Sequence, residues 1–242
     1  MKSNPNCGIV ISCEHATNII PNKYAAHYDR NQLNSHLGFD AGAAHLAKQL
    51  GRRLNRTPVL GRVSRLLIDL NRSESNRALF SAISKTKLSL SQRQSLIETI
   101  YRPYRNQIKT EIESQLKNNR QTVHLSIHSF TPILNLVERK VDIGFLYNPK
   151  RLEERQFANQ IITTIKNHQT YHKSQLIIGR NSPYKGISDG CTTAMRKVFS
   201  EQEYIGIEIE VNQKHLNKDR FNKDILEIII KAIQENINLK NI

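Results

Sequence analysis

The chain has 242 residues, 38% of them hydrophobic, no Trp and a formal net charge of +15. That length allows one large α/β domain or two small ones, with a core that needs no staples. The three cysteines, Cys7, Cys13 and Cys191, have no C-x-x-C spacing, which argues against a disulfide framework and against a cysteine zinc site. No run approaches the roughly 20 apolar residues of a membrane span, and the start, Met1 to Cys7, lacks the apolar region of a signal peptide, so the expected location is cytoplasmic. The positive charge would attract anions. However, Lys and Arg are spread along the chain, with no basic tail and no alternation with aromatics, which argues against nucleic acid as a partner.

In chain order, Gly8 to Cys13 reads as a first strand, and Glu14 to Asn18 as a loop closed by Pro21. Asp40 to Leu50 has helical spacing, with Gly51 at its end. Pro58 to Val63 leads into Leu66 to Leu70, a continuous apolar run broken only by Asp69 that reads as a buried strand. Ser89 to Asn119 is helical and mostly polar, interrupted at Pro103, with Leu, Ile and Tyr forming one buried stripe. Thr122 to Ile127 is a strand of period two that runs into His128. Val141 to Tyr147 is a strand, followed by a turn at Asn148-Pro149 and a helix over Arg151 to Lys166. Ser174 to Gly179 is a strand, Arg180 to Gly186 a loop and Thr192 to Phe199 a short helix. Tyr204 to Asn212 is a strand and Phe221 to Asn238 a closing amphipathic helix. Strands alternating with helices predict a sheet covered on both faces. The excursion over Ser89 to Asn119 makes a mixed sheet the expectation. No repeat or linker divides the chain, so 1–242 is read as a single domain.

Four features stand at the ends of apolar strand-like runs: Glu14-His15, Asn71-Arg72, His128 and Glu210. In open α/β sheets ligands bind at such ends. A zinc hydrolase needs His and carboxylate ligands, an open position for water, a general base and a group that orients the substrate. Each part is present. Arg72 offers a planar fork suited to a carboxylate. Glu208 and Glu210 have the same parity and share one face of their strand, where a buried carboxylate requires a cation, a proton or a metal. A salt bridge to one of the many basic residues would serve equally. Cys13 is expected as a small buried residue of its strand.

Cys13 to Asn18 with Pro21, His36 to Ala43, Ser64-Arg65 through Arg72, Tyr101 to Tyr104, Ile127 to Pro132, Gly144 to Tyr147, Asn181 to Tyr184 and Glu208 to Gln213 form an ordered set of blocks. As a set they resemble the N-formylglutamate amidohydrolase family. The resemblance runs from about Ile9 to Leu216. It implies a three-layer α/β/α sandwich around a mixed, mostly parallel sheet, similar to the zinc carboxypeptidase and aspartoacylase group. That group binds zinc through a His-x-x-Glu pair and a later His. Carried over, His15 and His128 are metal ligands, Asn71 and Arg72 clamp the substrate carboxylate, and Glu210 is the base. Position 18 departs from the pattern, with Asn where Glu is expected. The third zinc ligand is then Asp40, with Glu14 as second choice, although Asp40 also suits the N-cap of the helix it opens.

The implied reaction is hydrolysis of the amide of an N-acyl acidic amino acid, such as N-formylglutamate to formate and glutamate. Arg65 would help hold the oxyanion, and Asn181 and Tyr184 would line the pocket. Asp69 is expected to orient Arg72 or a metal-bound His, or to neutralise Arg65. Two other readings are a deacylase of a different acylated amino acid or peptide end, and a non-catalytic anion- or nucleic-acid-binding protein on the same scaffold.

Overall fold

A computed structural model describes residues 7–119, 121–168 and 175–240. Residues Met1 to Asn6, and the expected strand start at Ser174, lie outside the described residues. Six strands form one sheet: β1 Cys7–Cys13, β2 Val59–Leu60, β3 Gln121–Phe130, β4 Ile143–Leu146, β5 Ile178–Arg180 and β6 Tyr204–Asn212. Their spatial order is β2-β1-β3-β6-β4-β5. The first four of that order run parallel, β4 pairs antiparallel with β6, and β5 follows β4 in parallel. The sheet is therefore mixed and mostly parallel, as expected.

Five helices matter for the site: α1 Ala43–Leu54, α2 Arg102–Leu116, α3 Leu152–Asn167, α4 Cys191–Met195 and α5 Lys223–Lys240. α1, α3 and α5 share one core with the odd-numbered residues of β3 and β6, Val123, Leu125, Ile127, Ile205, Ile207 and Ile209 among them. α2, α4 and the buried turns around Leu67 to Leu70 cover the opposite face. On that face β3 presents Thr122, His124, Ser126 and His128, all buried. β6 adds Glu208 and Glu210 opposite Ser126 and His128. The period of two thus separates an aliphatic layer from a buried polar one. Burying so many polar groups is costly unless they are paired, and most find partners on neighbouring elements: His124 with Ser12 and Tyr204, Ser126 and His128 with Glu14, and Glu208 with Thr192. No helix among the described residues is long and apolar enough to cross a membrane.

Several expected boundaries move. Leu66 to Leu70 is a chain of turns, and the strand at this sheet edge is β2. Leu67 N–H donates to Ser64 O at 2.9 Å, Ser64 Oγ accepts from Leu66 N–H at 3.2 Å, and Asp69 Oδ1 accepts from Asn71 N–H at 2.9 Å. These local bonds give the backbone an alternative to a ladder. A short buried apolar run carries no period to reveal which one is used. The helix expected from Asp40 begins at Ala43, and its N-cap is Gly42, so Asp40 does not cap it. Gly51 lies inside the helix, which ends at Asn55 in the left-handed region. Pro103 does not interrupt the long helical excursion. It lies in the first turn of α2, just after a wide turn over Ile97–Tyr101 in which Arg102 N–H donates to Ile97 O. Proline tolerates that place because the first-turn N–H groups lack intrahelical partners.

Gly42 has φ +80°, and a Cβ there would lie 2.5 Å from Leu216 Cδ2. Gly42→Ala is therefore expected to destabilise the fold by about 1–2 kcal/mol from backbone strain alone. Urea unfolding monitored by circular dichroism checks this.

Candidate active site

Glu14 and His15 follow β1 directly, where the chain turns over the parallel strand ends. Asp40 is tied there by its backbone, since Asp40 N–H donates to His15 O at 3.0 Å. Its Oδ2 then lies 3.2 Å from His15 Nδ1 and 2.8 Å from His128 Nδ1. The two rings meet edge to face with centroids 5.1 Å apart. His15, Asp40 and His128 are all buried, and one donor atom from each lies within 4.8 Å of the others, a grouping that could hold a metal ion.

The far nitrogen of each ring is also held. His15 Nε2 lies 2.7 Å from Asp69 Oδ1, and His128 Nε2 lies 3.0 Å from Glu14 Oε2. Carboxylates in this position fix ring orientation and leave the other nitrogen for a ligand. Arg65 bridges the two aspartates, NH2 at 3.0 Å from Asp69 Oδ2 and NH1 at 3.6 Å from Asp40 Oδ1.

Charge inside this cluster shifts every titration. Burial alone would raise the carboxyl pKa of Asp40, but the charges and hydrogen bonds of His15 and His128 hold it well below the usual range. Burial is likewise outweighed at Glu14 by His128, and at Asp69 by His15 and Arg65, so both stay low. At His128, burial favours the neutral ring, yet hydrogen bonds to Asp40 and Glu14 push its pKa well above the ordinary value. His15 rises too: burial and Arg65 oppose protonation, and Asp69 and Asp40 outweigh them. Glu210 behaves oppositely. Burial, helped by Asp40 and Glu208 and resisted by His128 and His15, raises it to about 8. It stands beside His128 in the ladder, and its buried Oε2 has no hydrogen-bond partner.

The remaining residues singled out from the sequence are placed as follows. Asn71 Oδ1 accepts from Cys191 N–H at 2.6 Å, which turns its Nδ2 to 3.4 Å from His128 Nε2. Arg72 NH1 donates to Asp189 O at 2.9 Å, and a third of its side chain is exposed. Asp69 meets His15 and Arg65 closely, whereas Arg72 Nε is 4.0 Å away. Glu208 Oε1 accepts from Thr192 Oγ1 at 2.5 Å. Asn181 shapes its own loop, since its Oδ1 accepts from Tyr147 N–H and Gly186 N–H, each at 3.0 Å. Tyr184 is half-exposed, and its hydroxyl accepts from Arg139 at 2.7 Å. Among the described residues, neither of these two bonds to the His–Asp group. Asn18 donates to Asn34 at 2.7 Å. Cys13 is fully buried in the aliphatic core.

Sequence reasoning missed three contributors. Ser126 Oγ–H donates to Glu14 Oε2 at 2.6 Å, and its parity with His128 in β3 was the available sign. Tyr104 donates to Glu14 Oε1 at 3.2 Å and belongs to a block already noted. Asp189 fastens the 71–76 turn by accepting from Ser73 N–H at 2.9 Å and Asn76 Nδ2 at 2.5 Å, and no local pattern announces it.

Among solved structures, a gene product of Agrobacterium tumefaciens is similar at 24% identity and TM-score 0.77, covering 99% of this chain and 90% of its own. An N-formylglutamate amidohydrolase from Ralstonia eutropha is similar at 15% identity and TM-score 0.73, covering 97% of this chain and 93% of its own. These two show the fold. Among curated proteins none matches. The model of the family described as N-formylglutamate amidohydrolase matches residues 7–216, most of the chain. The chain belongs to the N-formylglutamate amidohydrolase family.

Proposed function

We propose that this protein is a metal-dependent hydrolase that cleaves the amide of an N-acyl acidic amino acid, with N-formylglutamate, giving formate and glutamate, as the first substrate to test. The observation that carries the proposal is the buried His15–Asp40–His128 group with Glu210 in register beside it. The name of the Ralstonia eutropha neighbour supports the same substrate.

The donor set fits a divalent metal. Two ring nitrogens and a carboxylate oxygen suit zinc, and both rings already have their other nitrogen held by a carboxylate. Charge points the same way. Glu14, Asp40 and Asp69 stay carboxylates around the site, and Arg65 offsets one of their three negative charges. His15, His128 and Asp40 would hold the metal, which would supply Lewis acidity toward the scissile carbonyl and the attacking water.

The chain's own groups do the rest. Glu210 accepts a proton from the attacking water and returns it to the leaving amine. In the metal-free chain burial raises its carboxyl to about 8, and a dication held by His15, His128 and Asp40 would draw it down toward the carboxylate form that a base needs. Arg65, partly exposed and paired with both aspartates, offers positive charge to the oxyanion. Arg72, with Asn71 beside it, binds the substrate carboxylate and so spends binding energy on placing the amide. Glu14 stands behind His128 and is not a ligand in this reading.

The test is to purify the protein, measure its metal content and assay formate release from N-formylglutamate, with N-acetyl and N-succinyl amino acids in parallel. Full activity in the metal-free protein would overturn the mechanism. Turnover of another acyl group alone would move the substrate and keep the chemistry. Arg72→Ala is expected to raise KM about 10–100-fold, the value of a charge-assisted hydrogen bond, with a smaller change in kcat.

A further inference from the structure

The block Tyr101-Arg102-Pro103-Tyr104-Arg105 has no place in the chemistry above, yet three of its side chains reach the site's supports. Tyr101 OH donates to Arg72 O at 2.7 Å, Tyr104 OH to Glu14 Oε1 at 3.2 Å and Arg105 NH1 to Leu70 O at 3.1 Å. Positions i, i+3 and i+4 share one helical face, and the wide turn over Ile97–Tyr101 leads into it. Of the three, Tyr104 acts on a group that touches a candidate ligand.

Glu14 is 1% exposed. Its Oε2 takes Ser126 Oγ–H at 2.6 Å and lies 3.0 Å from His128 Nε2. Ser126 Oγ is also 3.0 Å from that nitrogen. Asn71 Nδ2 is farther, at 3.4 Å, and its amide is oriented by the Cys191 N–H on Oδ1. A proton on Nε2 that faces Glu14 leaves the Nδ1 lone pair directed at the Asp40 side of the site. We propose that Glu14 is a positioning residue that fixes the ring of His128 through Nε2, and that Tyr104 holds Glu14 in place from α2. The proposal rests on the metal reading of His15, Asp40 and His128.

The test titrates Co2+ and Zn2+ into metal-free wild type, Glu14→Gln, Tyr104→Phe and the control Asn18→Ala, with thermal unfolding of each metal-free protein alongside. Glu14→Gln is expected to weaken metal affinity about 10–100-fold and to shift the visible absorption of bound Co2+. Tyr104→Phe, which removes one hydrogen bond, is expected to weaken it about 3- to 10-fold. Asn18→Ala should match wild type. A merely structural role would lower the unfolding temperature and leave the affinity and Co2+ spectrum of the folded protein unchanged. That result overturns the proposal. Should Glu14→Gln fail to fold, Tyr104→Phe decides, and wild-type affinity there overturns it equally. A wild type that takes up neither ion overturns the metal reading itself, and the positioning role with it.

Discussion

His128→Ala is expected to lose both bound metal and turnover. His128 contributes Nδ1 to the candidate ligand group, 2.8 Å from Asp40 Oδ2. Removing a ligand should exceed the roughly 10–100-fold loss that follows removal of a supporting residue. The substitution also removes the partner that Glu14 and Asp40 share in the buried interior. Breaking a buried charge pair by deleting one member costs about 3–5 kcal/mol, so the metal-free variant should unfold at lower urea than metal-free wild type. Elemental analysis, formate release and urea unfolding measure the three effects. Retention of metal and activity would place the reaction elsewhere in the molecule.

Glu210→Gln should separate chemistry from binding. The amide keeps the shape of the side chain and removes its ability to take a proton. The expected result is a kcat lower by about 10²–10⁴-fold, with KM and metal content close to wild type. Stability should move the other way. Burial raises the folded carboxyl to about 8 from an ordinary value of 4.5. Below 4.5 the carboxyl is protonated in both states and makes no difference. As pH rises toward 8, the folded protein keeps a proton that the unfolded chain has released, so wild-type stability falls. Gln does not titrate. In the metal-free form the variant should therefore gain on wild type between pH 5 and pH 8.5, by roughly a few kcal/mol. Urea midpoints at the two pH values check the sign, and an equal difference at both would remove the raised carboxyl from the account.

This coupling explains why the polar layer could be seen in the sequence only in part. Glu208 and Glu210 share parity within an aliphatic strand, and that alone predicted two buried carboxylates facing one way. The structure adds that they are not equivalent. Glu208 is satisfied by Thr192, whereas Glu210 stands next to His128 with Oε2 unpaired. The difference comes from α4 and from the register of β3 against β6, which no local pattern encodes. Asp40 makes the same point. Ligand and helix cap were equally compatible with its place before an amphipathic run. Tertiary structure removed the cap by letting Gly42, with its positive φ, start the helix and by bonding Asp40 to the backbone of His15.

What the sequence determined by itself is the set of elements that carry their own period or length. The aliphatic strands β1, β3 and β6, the amphipathic helices α1 and α5, and the strand-end placement of His15, His128 and Glu210 all follow from side-chain alternation and burial. The ordered blocks likewise carried the family. What only the tertiary structure decided is which groups meet. Asp40 reaches a His 25 residues before it and another 88 residues after it, while Asp69 and Glu14 take the far nitrogens. Those meetings depend on the sheet order β2-β1-β3-β6, which brings distant strand ends side by side. The run Leu66 to Leu70 failed as a strand for a related reason. Its hydrophobicity requires burial, which the turns provide as well as a ladder would, and the side chains of Ser64 and Asp69 supply the backbone with local hydrogen bonds in its place.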